Sequence, residues 1–274
     1  HRDLHSFPTR RSSDLNPILK KLHFSDDDRL VIIHADDVGM CQASAAAFPE
    51  LEAFGIVSSG AVMVPCPWFL QAAAYAREHP DTDLGVHLTL TSEWKTYRWG
   101  PISSRNPDTG MMDEEGYFYH RSQGTQANAT PQAVAVEMHA QVERALAMGI
   151  PVTHVDTHMG TVAHPKFMQP YIQLALTQRV PFLIFRMDEA GWRMTGLDAE
   201  SAKFAAGMVQ NLEEQGIPLL DRMTSLALDA DPTQRLEQAK AVLAGLKPGV
   251  THFIIHPAMD TPELRAITPD WACR

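Results

Sequence analysis

Leu30-Val-Ile-Ile-His-Ala-Asp-Asp-Val-Gly-Met40 joins an uninterrupted apolar run to two adjacent carboxylates. Val31, Ile32 and Ile33 are β-branched and contiguous, which predicts a strand covered on both faces, as in a parallel sheet. Asp36 and Asp37 follow at its C-terminal end, where α/β sheets and barrels collect ligands and reacting groups. Neighbouring carboxylates repel, so a site that holds both calls for a cation or a shared proton. Gly39 permits a tight turn into a helix beginning near Gln42. Taken alone, Asp-Asp-x-Gly also fits a surface turn with capping value only.

Outward from this stretch, short apolar runs alternate with helical patterns. Strands are expected at Leu30 to His34, Val57 to Val64, Leu84 to Leu90, Val152 to His158, Pro181 to Arg186, Ile217 to Leu220 and Thr251 to His256. Helices are expected at Gln42 to Phe54, Pro67 to Glu78, Pro131 to Met148, Pro165 to Gln178, Ala199 to Gln215 and Pro232 to Leu246. Thr130-Pro131 and Asp231-Pro232 are start signals, and Gly55, Gly149 and Gly216 fall where helices should stop. The alternation predicts an α/β fold, a β/α barrel of about seven parallel strands. It predicts one domain over 16–274, since barrels of roughly 250 residues are commonly single.

Composition narrows the partners. With 274 residues and 45% hydrophobic content the chain can bury a sizeable core, and its net charge of -10 argues against nucleic acid or an anionic membrane. No apolar run reaches the roughly 18 residues a bilayer span needs. Cys41, Cys66 and Cys273 form no CxxC pair, which fits a reducing, cytoplasmic setting. The first 15 residues lack apolar periodicity and resemble the translation of a sequencing-library adapter, so they carry no weight here.

Residues 91–130 break the alternation with a polar, turn-rich insert. It carries Trp94, Tyr97, Trp99, Tyr117 and Tyr119, half of the chain's ten Trp and Tyr residues. Inserts of this length are uncommon unless functional or disordered. Its rings, Trp94, Tyr97 and Trp99 foremost, suit stacking on a sugar, although such clusters also pack loops onto a domain. His87 sits inside the apolar strand Leu84-Gly-Val-His-Leu-Thr-Leu90, a place where histidine is also met as a core residue. Thr153-His-Val-Asp-Thr-His158 places His154, Asp156 and His158 on one strand face by its period of two. Carboxylates at one strand end and imidazoles at two others are divalent-metal ligand chemistry, with an internal hydrogen-bond ladder as the alternative.

His34-Ala-Asp-Asp-Val-Gly39, Gly85-Val-His-Leu-Thr-Leu90, Thr153-His-Val-Asp-Thr-His158 and Phe253-Ile-Ile-His-Pro257, in this order, resemble the YdjC family over essentially Arg29 to Arg274. That family includes chitooligosaccharide deacetylases and hopanoid-biosynthesis deacetylase-like proteins, and its fold is a β/α barrel. The resemblance implies Asp37, His87 and His158 as ligands of one divalent ion, Zn²⁺ or Mg²⁺. It implies Asp36 as general base, His256 as acid and Arg186 as the group orienting the base. The family's better-known members carry further histidines after His158, whereas here Met159-Gly-Thr-Val-Ala-His164 follows, which sets His164 beside the expected ligand. Pro262 to Trp271 resembles a segment normally followed by another helix, so the C-terminus is expected to be cut.

The implied activity is removal of an N-acetyl group from a small amino sugar, oligosaccharide or glycolipid head group, in a protein compatible with a homodimer. A metal-dependent esterase or phosphodiesterase, and a carbohydrate-binding protein without turnover, are the alternatives.

Overall fold

The computed structural model describes residues 16–274; the adapter-like segment 1–15 lies outside the described residues. The fold is α/β. Among the described residues one sheet has six parallel strands in the order β4-β3-β2-β1-β6-β5. They are β1 (Arg29–Val38), β2 (Ser59–Val62), β3 (Leu84–Leu88), β4 (Val155–Thr157), β5 (Arg222–Ser225) and β6 (Gly249–Ile255). The chain divides into two compact units, described in turn: 34–182 with 256–272 and 274, and 16–33 with 183–255 and 273.

In the first of these, the C-terminal half of β1 pairs with β2, β2 with β3 and β3 with β4. Helices Gln42–Phe54, Phe69–Glu78, Pro131–Ala147 and Pro165–Gln178 lie within one or two residues of their expected limits. Local chemistry explains their ends. Thr130 accepts from Ala133 N at 3.2 Å ahead of Pro131, and Gly55 closes the helix before it at φ 88°. Ala35, Ala61, Val62, Val86, Leu88, Val155, Met138, Val142, Phe167 and Tyr171 form a core with essentially no exposure. The Phe48 ring occupies the place a side chain at Gly60 would take, which brings helix and sheet close.

The other unit holds the N-terminal half of β1 with β6 and β5, whose ladder runs from Arg222↔Thr251 to Ser225↔Ile254. Two expected strands differ here. Among the described residues Pro181 to Arg186 carries isolated bridges, Val155↔Phe182 and Phe185↔Leu220, and the ladder strand follows Ile217 to Leu220 at β5. Pro181 has no N–H to give a ladder, though Leu220 N bonds the Ile184 carbonyl at 3.1 Å and Arg186 N the Leu220 carbonyl at 2.8 Å. Leu30–Ile33 are only half-buried, whereas His34–Val38 are buried. The helix Arg235–Ala244 buries no residue. No helix is long and apolar enough to cross a membrane among the described residues.

Candidate metal centre

β1 does not simply end at its carboxylates. Its register against β2 shifts between Ala35 and Val38, a bulge with Asp37 at φ 61°. In a regular strand Asp36 and Asp37 would face opposite sides; the extra residue and the left-handed step bring both carboxylates to one place. Aspartate is among the few side chains that tolerate this backbone. Asp36 and Asp37 are 7% and 2% exposed.

β3 and β4 supply the imidazoles. Their register sets His87 beside Asp156, and His87 Nδ1 meets Asp156 Oδ1 at 2.7 Å. The other ring nitrogen of His87 lies 3.7 Å from Asp37 Oδ1 and 3.8 Å from Asp36 Oδ2. β4 stops at Thr157, and His158 opens a tight turn through Met159 and Gly160 at positive φ. Its Nδ1 lies 3.3 Å from Asp37 Oδ1, and its Nε2 meets Glu93 Oε2 at 3.0 Å. His256, which follows β6, places Nε2 3.7 Å from Asp36 Oδ2. His34 Nε2 joins Asp156 Oδ2 at 3.0 Å and approaches Asp36 Oδ1 at 3.3 Å, while its Nδ1 meets Ser59 Oγ at 3.0 Å.

Among the described residues three donor groups have atoms within 4.8 Å of one another: Asp37-His87-His158 and Asp36-His87-Asp156, buried throughout, and His34-His154-Asp156, in which His154 is half-buried. Hydrogen bonding separates them. Asp156 spends both oxygens on imidazoles, which weakens the second and third sets as ligand cages. Asp37 Oδ2 accepts from the Arg274 guanidinium at 2.9 Å, whereas Oδ1 is buried with no hydrogen-bond partner. A buried carboxylate oxygen left unpaired between two imidazole nitrogens fits a cation. Tetrahedral ligands at 2.0–2.2 Å from zinc stand about 3.3–3.6 Å apart, close to the 3.3 and 3.7 Å found around Asp37 Oδ1.

Electrostatics follow the same geometry. Burial is the largest influence on Asp37 and opposes its charge, yet His158, His256 and Arg274 hold its carboxyl well below the usual range. For Asp156, burial is again outweighed, by His87 and His34. Burial opposes protonation of His34 and His158, but Asp156 and Asp36 push the first up to about 10, and Glu93 and Asp37 push the second up to about 10. His256 goes down, chiefly through burial.

The five residues Asp36, Asp37, His87, His158 and His256 therefore come together. Arg186 has partners in its own unit: its guanidinium bonds Glu213 and, at 2.9 Å, Asp221. Trp94 Nε1 meets Met40 Sδ at 3.4 Å, and Tyr97 donates to the Met40 carbonyl at 2.8 Å. Trp99 is buried, donates to the Thr91 carbonyl and lies 6.4 Å, ring to ring, from His158. His164 caps its helix by accepting from Lys166 N at 3.2 Å. Sequence patterns did not single out Glu93, which no periodicity marks within the insert, or Arg274, more than 200 residues from Asp37. Asp156 stood out only as one of three polar groups on a face that need partners.

The family model described as YdjC-like protein matches residues 30–273. The chain belongs to this family. A carbohydrate deacetylase from Thermus thermophilus is 32% identical over 250 residues, covering 90% of this YdjC-like chain and 83% of that protein. Another from Thermoanaerobacter pseudethanolicus is 25% identical over 236 residues, covering 86% and 84%. Among solved structures, a protein from Enterococcus faecalis V583 described as a cellobiose-phosphate cleavage protein shares the fold. It has a TM-score of 0.67 and 24% identity, with 88% of this chain and 86% of that one covered.

Proposed function

We propose that this YdjC-like chain is a metal-dependent hydrolase that removes an N-acetyl group from an amino sugar, a small oligosaccharide or a glycolipid head group. The observation that carries the reading is the unpartnered, buried Asp37 Oδ1 set between His158 Nδ1 and His87 Nε2. Relatives named carbohydrate deacetylases support the acetylated-sugar substrate. Asp37, His87 and His158 would hold Zn²⁺ or Mg²⁺, which when bound supplies Lewis acidity toward an acyl oxygen and a water.

The chain's own groups do the rest. Asp36 Oδ2, facing His87 and His256, takes the proton from the attacking water. His34, 3.3 Å from Asp36 Oδ1 and fixed by Ser59 and Asp156, holds that carboxylate in place. The orienting role implied for Arg186 passes in this reading to His34, because Arg186 ties Glu213 to Asp221. His256 Nε2 gives a proton to the departing nitrogen. Water oxygen joins the acyl carbon, the C–N bond breaks, and acetate and a free amine result.

A groove of about 580 Å³ is bordered by Trp99, Tyr117, Arg105 and Arg144, and since Trp99 also stands beside His158, the part of the sugar remote from the acetyl group is assigned to it in this reading. Its size falls within the common range for small-molecule sites. Trp99 borders both this groove and His158, and Tyr117 is 37% exposed there. Trp94 and Tyr97 hold the insert against the turn after Asp37.

The test is acetate release from N-acetylglucosamine and its short oligomers, with and without chelator. Release that chelator abolishes and added zinc or magnesium restores is the expected result. Phosphate or alcohol release from ester substrates without any acetate from these amides would overturn it.

A further inference from the structure

Each imidazole beside Asp37 is held from behind by a carboxylate, and the two carboxylates come from very different places. His87 presents Nε2 toward Asp37 while Nδ1 is taken by Asp156 at 2.7 Å, from the adjacent strand. His158 presents Nδ1 toward Asp37 while Nε2 is taken at 3.0 Å by Glu93, from the aromatic insert. A carboxylate on the far nitrogen of a ligating histidine fixes which nitrogen carries hydrogen and which faces the ion.

We propose that Glu93 is a positioning residue for the metal centre, aiming the His158 imidazole at the ion through its Nε2–H. The proposal rests on the reading of Asp37, His87 and His158 as ligands. Burial supports it: the Glu93 side chain is 15% exposed and that of His158 6%, so water competes little for this bond. The backbone around Glu93 is also tied down. Ser92 N donates to the Tyr119 carbonyl at 2.9 Å, the Ser92 hydroxyl accepts from Trp99 N at 3.0 Å, and Trp94 Nε1 meets Met40 Sδ. Glu93 is thus presented by a braced segment, as a group that must fix an orientation requires. The insert then serves the metal centre as well as the substrate, and its attachment at His158 is chemical as well as steric.

The experiment measures zinc affinity of metal-free protein by competition with a chromophoric chelator, for wild type, Glu93→Ala, Glu93→Gln and Asp37→Ala. Loss of such an outer carboxylate typically weakens metal binding by about 10- to 100-fold. Glu93→Ala is expected to show that loss. Glu93→Gln, whose amide oxygen still accepts from Nε2–H, is expected to fall between it and wild type. Nitrogen-15 spectra of the zinc-loaded wild type should show His158 bound through Nδ1 with hydrogen on Nε2. Wild-type affinity in both Glu93 variants, or His158 bound through Nε2, overturns the proposal. If Glu93→Ala fails to fold, Glu93→Gln and the wild-type spectra decide. If wild type and Asp37→Ala bind zinc equally, the ligand reading itself falls, whatever the Glu93 variants do.

Discussion

Asp36→Asn and Asp37→Asn are neighbouring, isosteric changes, yet the structure predicts different failures. Asp36 Oδ2 lies 3.8 Å from His87 Nε2 and 3.7 Å from His256 Nε2, and in the proposed reading its work is to accept a proton. An amide cannot do so, and loss of a general base typically costs about 10²- to 10⁴-fold in rate, roughly 2.7–5.5 kcal/mol of barrier. Metal content should stay near wild type in Asp36→Asn. Asp37→Asn removes the carboxylate that faces both imidazoles and also pairs with Arg274, whose side chain is 3% exposed. Breaking a buried pair from one side typically costs about 3–5 kcal/mol. Asp270 keeps two bonds to Arg274, at 2.7 and 3.3 Å, so the lower end of that range is expected. Asp37→Asn should therefore lose metal, activity and several degrees of melting temperature together. Elemental analysis, acetate release and thermal unfolding of both variants make the test. An Asp36→Asn protein that empties of metal while Asp37→Asn stays filled would reverse the roles, and two active variants would refute the reading.

Four further outcomes are expected. His34 has a folded-state pKa of about 10 against an ordinary 6.5, so its stabilisation is complete below pH 6.5 and lost as pH rises through 10. The melting temperature of metal-free protein should fall across that window, and His34→Gln should flatten part of the fall. Gly85→Ala puts a Cβ 2.5 Å from both Nε2 and the backbone oxygen of His154, an overpacking that should cost about 1–3 kcal/mol in urea unfolding. Tyr97→Phe removes one bond to the Met40 carbonyl and should lower stability by about 1 kcal/mol while KM stays unchanged; a raised KM with normal stability would make Tyr97 a substrate contact. Zinc added to metal-free protein at 100 times its Kd should stabilise it by about 2.7 kcal/mol, and Asp37→Ala should remove that effect.

Much of this was legible because α/β proteins write their sites at strand ends. Asp36, Asp37, His87 and His158 were readable as ligand-type residues following apolar runs, and the helices between were readable from proline starts and glycine stops. What failed to show has physical causes. Apolar content marked Pro181 to Arg186 and Ile217 to Leu220 as strands, but pairing depends on backbone donors and register, and the ladder formed at Arg222–Ser225. Glu93 and Arg274 act on His158 and Asp37 across sequence separations of 65 and 237 residues, distances at which no local pattern carries information. The buried Glu137 is a similar case. It takes the N–H groups of Ile102 and Ser103 at 3.1 and 2.8 Å and clamps the insert to the helix Pro131–Ala147, although a glutamate on a helix reads as solvated surface.

The Asp-Asp pair shows how a local rule can be right about need and wrong about means. Strand alternation requires some device to bring both carboxylates to one site, and the Val38-Gly39 turn beside them is the one the local sequence offers. The device lies one residue earlier, in the bulge between Ala35 and Val38 and the positive φ of Asp37 itself. Gly39, also at positive φ, meets a different constraint: a Cβ there would stand 3.2 Å from Phe69 Cα and 3.3 Å from Trp68 O. It allows the turn to pass close against the start of the next helix. The left-handed step at Asp37 costs of order 1–3 kcal/mol, and persists where surrounding contacts over-determine it. Arg274 on one oxygen and the imidazoles facing the other are such contacts. Strain at this residue and its place between the imidazoles are therefore one feature: the backbone gives up regularity where the proposed chemistry uses two adjacent carboxylates on one side.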